Sequence, residues 1–196
     1  MNATGMARGS ARRGGSPSGL SDHIVLADWR RVRVRPIVPG DVMAEQAFVS
    51  SLSLESRFRR FHVGLNELPA QVLASWTAID YRSHVAIVAE SRERAIVADA
   101  RYVVESDRRS AEFGLAVADG WQGVGLGRQL VSRLAAFAYR DGIRRLTGTV
   151  LHDNRPMLAL VRSLGGSIEA SPTDPALLIA QFDLASRGVL AGRTSV

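Results

Sequence analysis

The stretch 111–127, AEFGLAVADGWQGVGLG, restricts what this chain can fold into more than any other. Phe113, Leu115 and Val117 alternate with Glu112, Gly114 and Ala116, which is the period of a strand. Ala118, Asp119 and Gly120 make a turn. Beyond it Leu126, Leu130, Leu134 and Phe137 recur at helical spacing, with Arg128, Arg133 and Arg140 off that face. The predicted order is therefore strand, glycine loop, helix. Gly123, Gly125 and Gly127 leave backbone N–H groups bare of side chains, converging on the positive end of the helix that follows. That combination is an anion site.

Spacing narrows the anion. A nucleotide-triphosphate loop needs GxxxxGK[ST], and the chain contains no lysine. A dinucleotide loop needs GxGxxG, whereas the glycines here fall as GxGxG. The remaining pattern, Gln122-x-x-Gly125-x-Gly127 after a strand ending Leu-Ala-Val, resembles the pyrophosphate loop of the GNAT superfamily of acyl-CoA-dependent N-acetyltransferases.

A chain of 196 residues with 46% hydrophobic residues is enough for one domain with a core. It has no apolar run of about 18 residues and no apolar segment behind its basic N-terminus, so neither a membrane span nor secretion is expected, and a cytoplasmic protein is. Cysteine is absent, which excludes disulfides, thiolate metal sites and a cysteine acyl-enzyme. The four histidines are scattered, so no metal is expected. The net charge of +6 is uneven: residues 1–35 hold seven Arg against Asp22 and Asp28, leaving the remainder near neutral at +1. Basicity thus belongs to the leader, and nucleic acid is not an expected partner.

Residues 1–22 are Gly, Ser, Arg and Pro with little to bury and read as a disordered leader, 30–185 as the domain, and 186–196 as a tail. Alternating residues 32–37 predict a first strand near a sheet edge, since Pro36 lacks a donor. Asp41 is positioned to cap a helix through about Val49. A second helix starts near Ser53 with Leu54, Phe58 and Phe61 on one face, and a third spans about 68–79 with Pro69 in its first turn. Two strands from His84 onward form a hairpin and lead to the Glu112 strand. After the long helix, Gly142 is a stop, residues 146–151 form a strand parallel to the Glu112 strand, and Asn154 precedes a helix ended by Gly165. Residues 167–170 and 177–184 supply a closing hairpin.

This order is similar to that of GNAT folds over about Val32–Leu184, and LSLESRFRRFH, TAIDYRSHVAIVA and AEFGLAVADGWQGVGLG together look most like the acetyltransferase domain of bacterial protein-lysine acetyltransferases. The resemblance implies an α/β (α+β) fold: a mixed, mainly antiparallel sheet flanked by helices, with a splayed parallel pair at the acetyl-CoA site. It implies acetyl-CoA as co-substrate, its pyrophosphate against the backbone of Gln122, Gly123, Val124, Gly125, Leu126, Gly127 and Arg128, its pantetheine arm along Leu115, Ala116 and Val117, and Asn154 on the far side of the split. It implies Glu112 as general base, its pKa raised by burial beside the thioester. Relatives carry a tyrosine as general acid where this chain has Val161, so the acid is unassigned. His152 is within chain distance of the site but reads first as a structural donor; His62, His84, Tyr81 and Tyr102 have no stronger claim, and Ser163 is not supported as a nucleophile. The implied activity is direct acetyl transfer to a primary amine, with a protein lysine favoured; the alternatives are a small-molecule amine, or an acyl-CoA-binding module without turnover. A monomer and a homodimer both remain open.

Overall fold

The computed structural model describes residues 20–63 and 67–185. The strands are β1 (Asp22–Val25), β2 (Arg31–Pro36), β3 (His84–Glu90), β4 (Ile96–Val104), β5 (Ser110–Val117), β6 (Arg145–Leu151), β7 (Ser167–Ala170) and β8 (Leu177–Asp183). The helices are α1 (Val42–Ser51), α2 (Leu54–Phe61), α3 (Ala70–Thr77), α4 (Leu126–Arg140) and α5 (Arg155–Ser163). One sheet runs in the order β1-β2-β3-β4-β5-β6-β8-β7. Its strands pair antiparallel except β5 with β6, the two joined by the α4 crossover. The predicted mixed, mainly antiparallel sheet is the observed one.

Alternation along β4 and β5 divides the core. Ala98, Ala100, Tyr102, Ala111 and Phe113 face α4, where Leu126, Leu130, Leu134 and Ala138 form a fully buried stripe. On the opposite face, Ala86, Val88 and Ala116 pack with Ile37, Phe48, Val49, Leu52 and Leu73 from the α1–α3 side. Gly142 takes φ +94 just past α4, as its stop position requires.

Four expectations change. The strand at 31–36 is second, not first: Asp22–Val25 pairs with it antiparallel, and Leu20 is buried, so 20–22 belong to the domain rather than to a leader. The remainder of the leader and the tail 186–196 lie outside the described residues. Pro36 is tolerated away from the edge because Ile37 N–H is the donor to Ala86 of β3, at 3.2 Å; the Pro36 nitrogen points the other way, beyond Val34, the last β2 residue paired with β1. Asp41 makes no side-chain cap on α1; its carboxylate accepts from Val38 N–H at 2.8 Å and from the Arg35 guanidinium at 2.7 and 2.8 Å. Finally, α2 does not bury its apolar face. Leu54 and Phe58 are 62% and 46% exposed, and the helix instead turns Arg60 inward over Gly114, whose missing Cβ would lie 2.7 Å from the guanidinium.

Candidate active site

Parallel pairing of β5 with β6 is short. Ser110, Ala111 and Glu112 pair with Arg145, Leu146 and Thr147, and beyond that point the strands separate. A cleft of about 710 Å³ occupies the gap, walled by β5, β6, α2, the start of α4 and α5. Gly148 closes the throat of the split, since a Cβ there would sit 2.9 Å from the Phe113 ring.

The glycine loop lies at the mouth. After a short 3-10 turn at Asp119–Trp121, Gly123 and Gly125 adopt φ +74 and +87, and a Cβ on either would meet nothing within 4 Å. The conformation, not crowding, is what requires glycine there. Gly125 is the N-cap of α4 and provides no side-chain cap, so the first-turn amides of a 15-residue helix remain free to receive an anion. Gly127 has a different reason: its Cβ would press on Leu115 at 3.1 Å, so glycine lets α4 approach β5.

Gln122, Gly123, Gly125, Leu126, Gly127 and Arg128 line the cleft, as do Leu115, Ala116, Val117, Asn154 and Glu112. Val124 does not; it faces the other way, and its carbonyl accepts from Ala27 N–H of the β1–β2 turn at 3.3 Å. A loop with φ alternating in sign cannot aim every residue at one ligand. Arg128 reaches across to α5, donating to the Ser163 carbonyl and hydroxyl at 3.1 and 3.0 Å. Asn154 caps α5 by accepting from Met157 N–H at 3.2 Å while bordering the cleft, so its two expected positions coincide. Glu112 stands where the strands part, and it is exposed rather than buried as the resemblance implied. The strands diverge beside it and leave it open to water.

Other titratable candidates separate cleanly. His152 is exposed and its ring contacts the Ala176 carbonyl at 3.3 Å, away from the cleft lining. Val161 is fully buried in the core. Tyr102 lies buried under α4, where burial pushes its hydroxyl up. Tyr81 donates to the Ile37 carbonyl, and burial raises it to about 12. His62, the left-handed C-cap of α2, does line the cleft.

The sequence reading missed a buried polar cluster behind the end of the cleft lined by Arg60 and Phe61. Arg101 holds Asp99 with two bonds, 2.9 and 2.6 Å, reaches Glu45 at 3.4 Å, and lies 3.9 Å from the Trp76 ring centroid. Burial, reinforced by the Asp99 carboxylate, pushes Glu45 well above the carboxylate range. Burial and the Arg101 cation hold His84 down to about 4. Arg60 completes the group from the cleft side, its guanidinium 5.4 and 5.2 Å from the centroids of the Phe61 and Trp76 rings, and burial lowers its pKa. One sequence signal was available: Asp99 and Arg101 sit at alternate positions of IVADARYVV, a strand otherwise apolar enough to be central.

The geometry has a counterpart in known proteins. The model of the acetyltransferase (GNAT) family matches residues 50–165. The chain belongs to this family. An acetyltransferase of Pseudomonas aeruginosa is 32% identical over 168 residues, covering 83% of this chain and 90% of that one. Acetyltransferase Pat of Mycolicibacterium smegmatis is 32% identical over 134 residues, 67% of this chain; the match spans 40% of Pat's length. The crystal structure of the GNAT domain of S. lividans PAT superposes with a TM-score of 0.81 at 26% identity, covering 86% of this chain and 99% of that one. The GNAT chain described here is accordingly an acyl-CoA-dependent N-acetyltransferase, with acetyl-CoA as co-substrate.

Proposed function

We propose that this GNAT enzyme transfers the acetyl group of acetyl-CoA to the side-chain amine of a protein lysine, with Glu112 as general base. The observation that carries the reading is the split itself: β5 and β6 part at Glu112, with the glycine loop at the mouth of the cleft and, among the described residues, the only carboxylate of its lining at the parting. In this reading the backbone amides from Gly123 to Arg128 take the pyrophosphate while the Gln122 N–H is held by the Asp119 carbonyl at 3.3 Å, Leu115 and Val117 flank the pantetheine arm, and the thioester reaches the divergence point. The likeness to Pat and to the PAT domain supports a lysine acceptor.

A lysine amine with a pKa of about 10.4 is neutral in only about one molecule per thousand near neutral pH, a deficit of roughly 4 kcal/mol. Glu112 removes the ammonium proton, directly or through water; the amine nitrogen attacks the thioester carbonyl carbon and gives up its second proton to water, the C–S bond breaks, and the CoA thiolate takes a proton from water. No side chain at position 161 supplies that proton, because valine holds it.

The test incubates the full chain with acetyl-CoA, a panel of lysine peptides and a thiol reagent that reports released CoA. Its design is clean because the enzyme has no lysine of its own to consume acetyl groups. General-base assistance contributes about 10²–10⁴ in rate, so Glu112→Gln should lower kcat within that span while acetyl-CoA affinity survives. Residual activity should climb with pH as neutral amine accumulates. Normal turnover by the variant at neutral pH refutes the role of Glu112; turnover of small amines but no peptide refutes the lysine acceptor.

A further inference from the structure

Helix α2 is seated unusually. None of its residues is fully buried, and Leu54 and Phe58 face solvent, so its core packing is confined to Phe61 at the C-terminal end. Its N-terminus is held instead by one carboxylate from the 3-10 turn that leads into the glycine loop. Asp119 Oδ2 accepts the Ser53 backbone N–H at 2.9 Å, and Oδ1 accepts the hydroxyls of Ser53 and Ser56, both at 2.7 Å. Ser53 Oγ in turn caps the helix by accepting from Ser56 N–H at 3.1 Å. The Gln122 side-chain amide donates to Ser56 Oγ at 3.1 Å and to the Val117 carbonyl at 3.0 Å. Donor and acceptor roles agree along the chain from Gln122 through Ser56 to Asp119, with no proton counted twice. An anion at the start of a helix is also favoured by its dipole.

The opposite end of the same helix builds the acceptor wall. Arg60 stacks on Gly114 of β5, two residues from Glu112, and Phe61 and His62 line the cleft beside it. A helix of eight residues fixed by polar contacts at one end cannot shift there without moving the other.

We propose that Asp119 is a positioning residue that couples the glycine loop to the acceptor wall: loading the loop with acetyl-CoA settles Gln122, and the Ser56–Asp119 bridge passes that ordering to α2 and so to Arg60, Phe61 and His62. The inference rests on the reading of the loop as the acetyl-CoA site. Asp119 itself does not line the cleft, so it acts through the helix and not on the substrate.

Amide hydrogen exchange on the full chain, with and without acetyl-CoA, tests it without knowledge of the acceptor. In the wild type, acetyl-CoA should slow exchange in the first turn of α4 and, by about fivefold or more, across α2, fivefold being the low end of coupling between sites. In Asp119→Ala the α4 protection should persist and the α2 protection should vanish. Ser56→Ala removes the Gln122 and Asp119 bonds made by the Ser56 hydroxyl while leaving Ser53 bound to Asp119, and it should lose most of the α2 protection, which decides the matter if Asp119→Ala fails to fold. Asp119→Asn, keeping an acceptor oxygen, should restore part of the response. Equal α2 protection in wild type and both alanine variants overturns the coupling alone, as does a wild type protected at α4 but not at α2. A wild type protected nowhere overturns the assignment of the loop, and the coupling with it.

Discussion

Gly125 offers the sharpest test of the anion loop, because its two properties can be perturbed separately. It holds φ +87 and ψ −1, and a side chain there would meet nothing within 4 Å. Gly125→Ala therefore adds backbone strain without a clash, about 1–2 kcal/mol for an L-residue in left-handed conformation. In a domain of this size that lowers Tm by roughly 2–8 °C. Gly125→Asp carries no greater strain, since Asp visits this region more readily, but adds a negative charge where the pyrophosphate is proposed to lie. Two unit charges about 4 Å apart repel by about 4 kcal/mol at an effective dielectric of 20; for this exposed loop a value near 40 is fitting, which leaves roughly 2 kcal/mol, or about thirtyfold in Kd. Calorimetric titration with acetyl-CoA should thus find the Asp variant about thirtyfold weaker than the Ala variant, with similar melting temperatures and a gap that narrows as salt rises. Equal affinity of the two variants would refute the placement of the anion, whatever either does to stability.

Two further outcomes follow from the fold. Leu20, only 4% exposed, is part of the main core although it precedes β1, so Leu20→Ala should destabilise by about 2–4 kcal/mol in urea unfolding, and deletion through residue 22 by at least as much; an unchanged midpoint would return these residues to the leader. His84 is held neutral to about pH 4, whereas the unfolded chain protonates it near 6.5. The unfolded state then binds the extra proton between those values, so stability is full above about 6.5 and falls as pH drops toward 4, by at most roughly 3 kcal/mol. His84→Gln should flatten that part of the stability–pH curve relative to wild type, and parallel curves would show that burial does not suppress the histidine.

Much of the cofactor half was legible because it is local. Alternation in β5, three glycines and the stripe Leu126–Leu130–Leu134 all lie within one continuous stretch, and the structure realises them in the expected order. Glycine spacing tells which backbone is bare, but not the direction in which each residue points. Val124 illustrates the limit: its carbonyl is taken by Ala27, a residue nearly a hundred positions earlier. β1 escaped notice for a related reason. Only four residues long, DHIV offers too short an alternation to be told from its polar surroundings, and its partner β2 supplies the order.

The side of the cleft walled by α2 was least legible, and that helix shows why. Periodicity assigns a buried face on the assumption that apolar residues are what a helix buries, which places Leu54, Phe58 and Phe61 inward. Here the competing interactions lie far away in sequence: the Asp119 carboxylate at one end, and the bare backbone of Gly114 and the Trp76 ring at the other. Each fixes a polar side chain of α2, and together they rotate the helix so that Arg60 enters the cleft while Leu54 and Phe58 face out. Drawing a guanidinium out of water is unfavourable unless its charge is balanced, and for the half-buried Arg60 the balance comes from Asp99 behind it and Glu112 beside it. The alternate charged residues of β4, the glycine of β5 and the arginine-rich helix are thus one electrostatic unit, whose members gain their meaning only when the sheet brings residues 45, 60, 99, 101 and 112 to the same face.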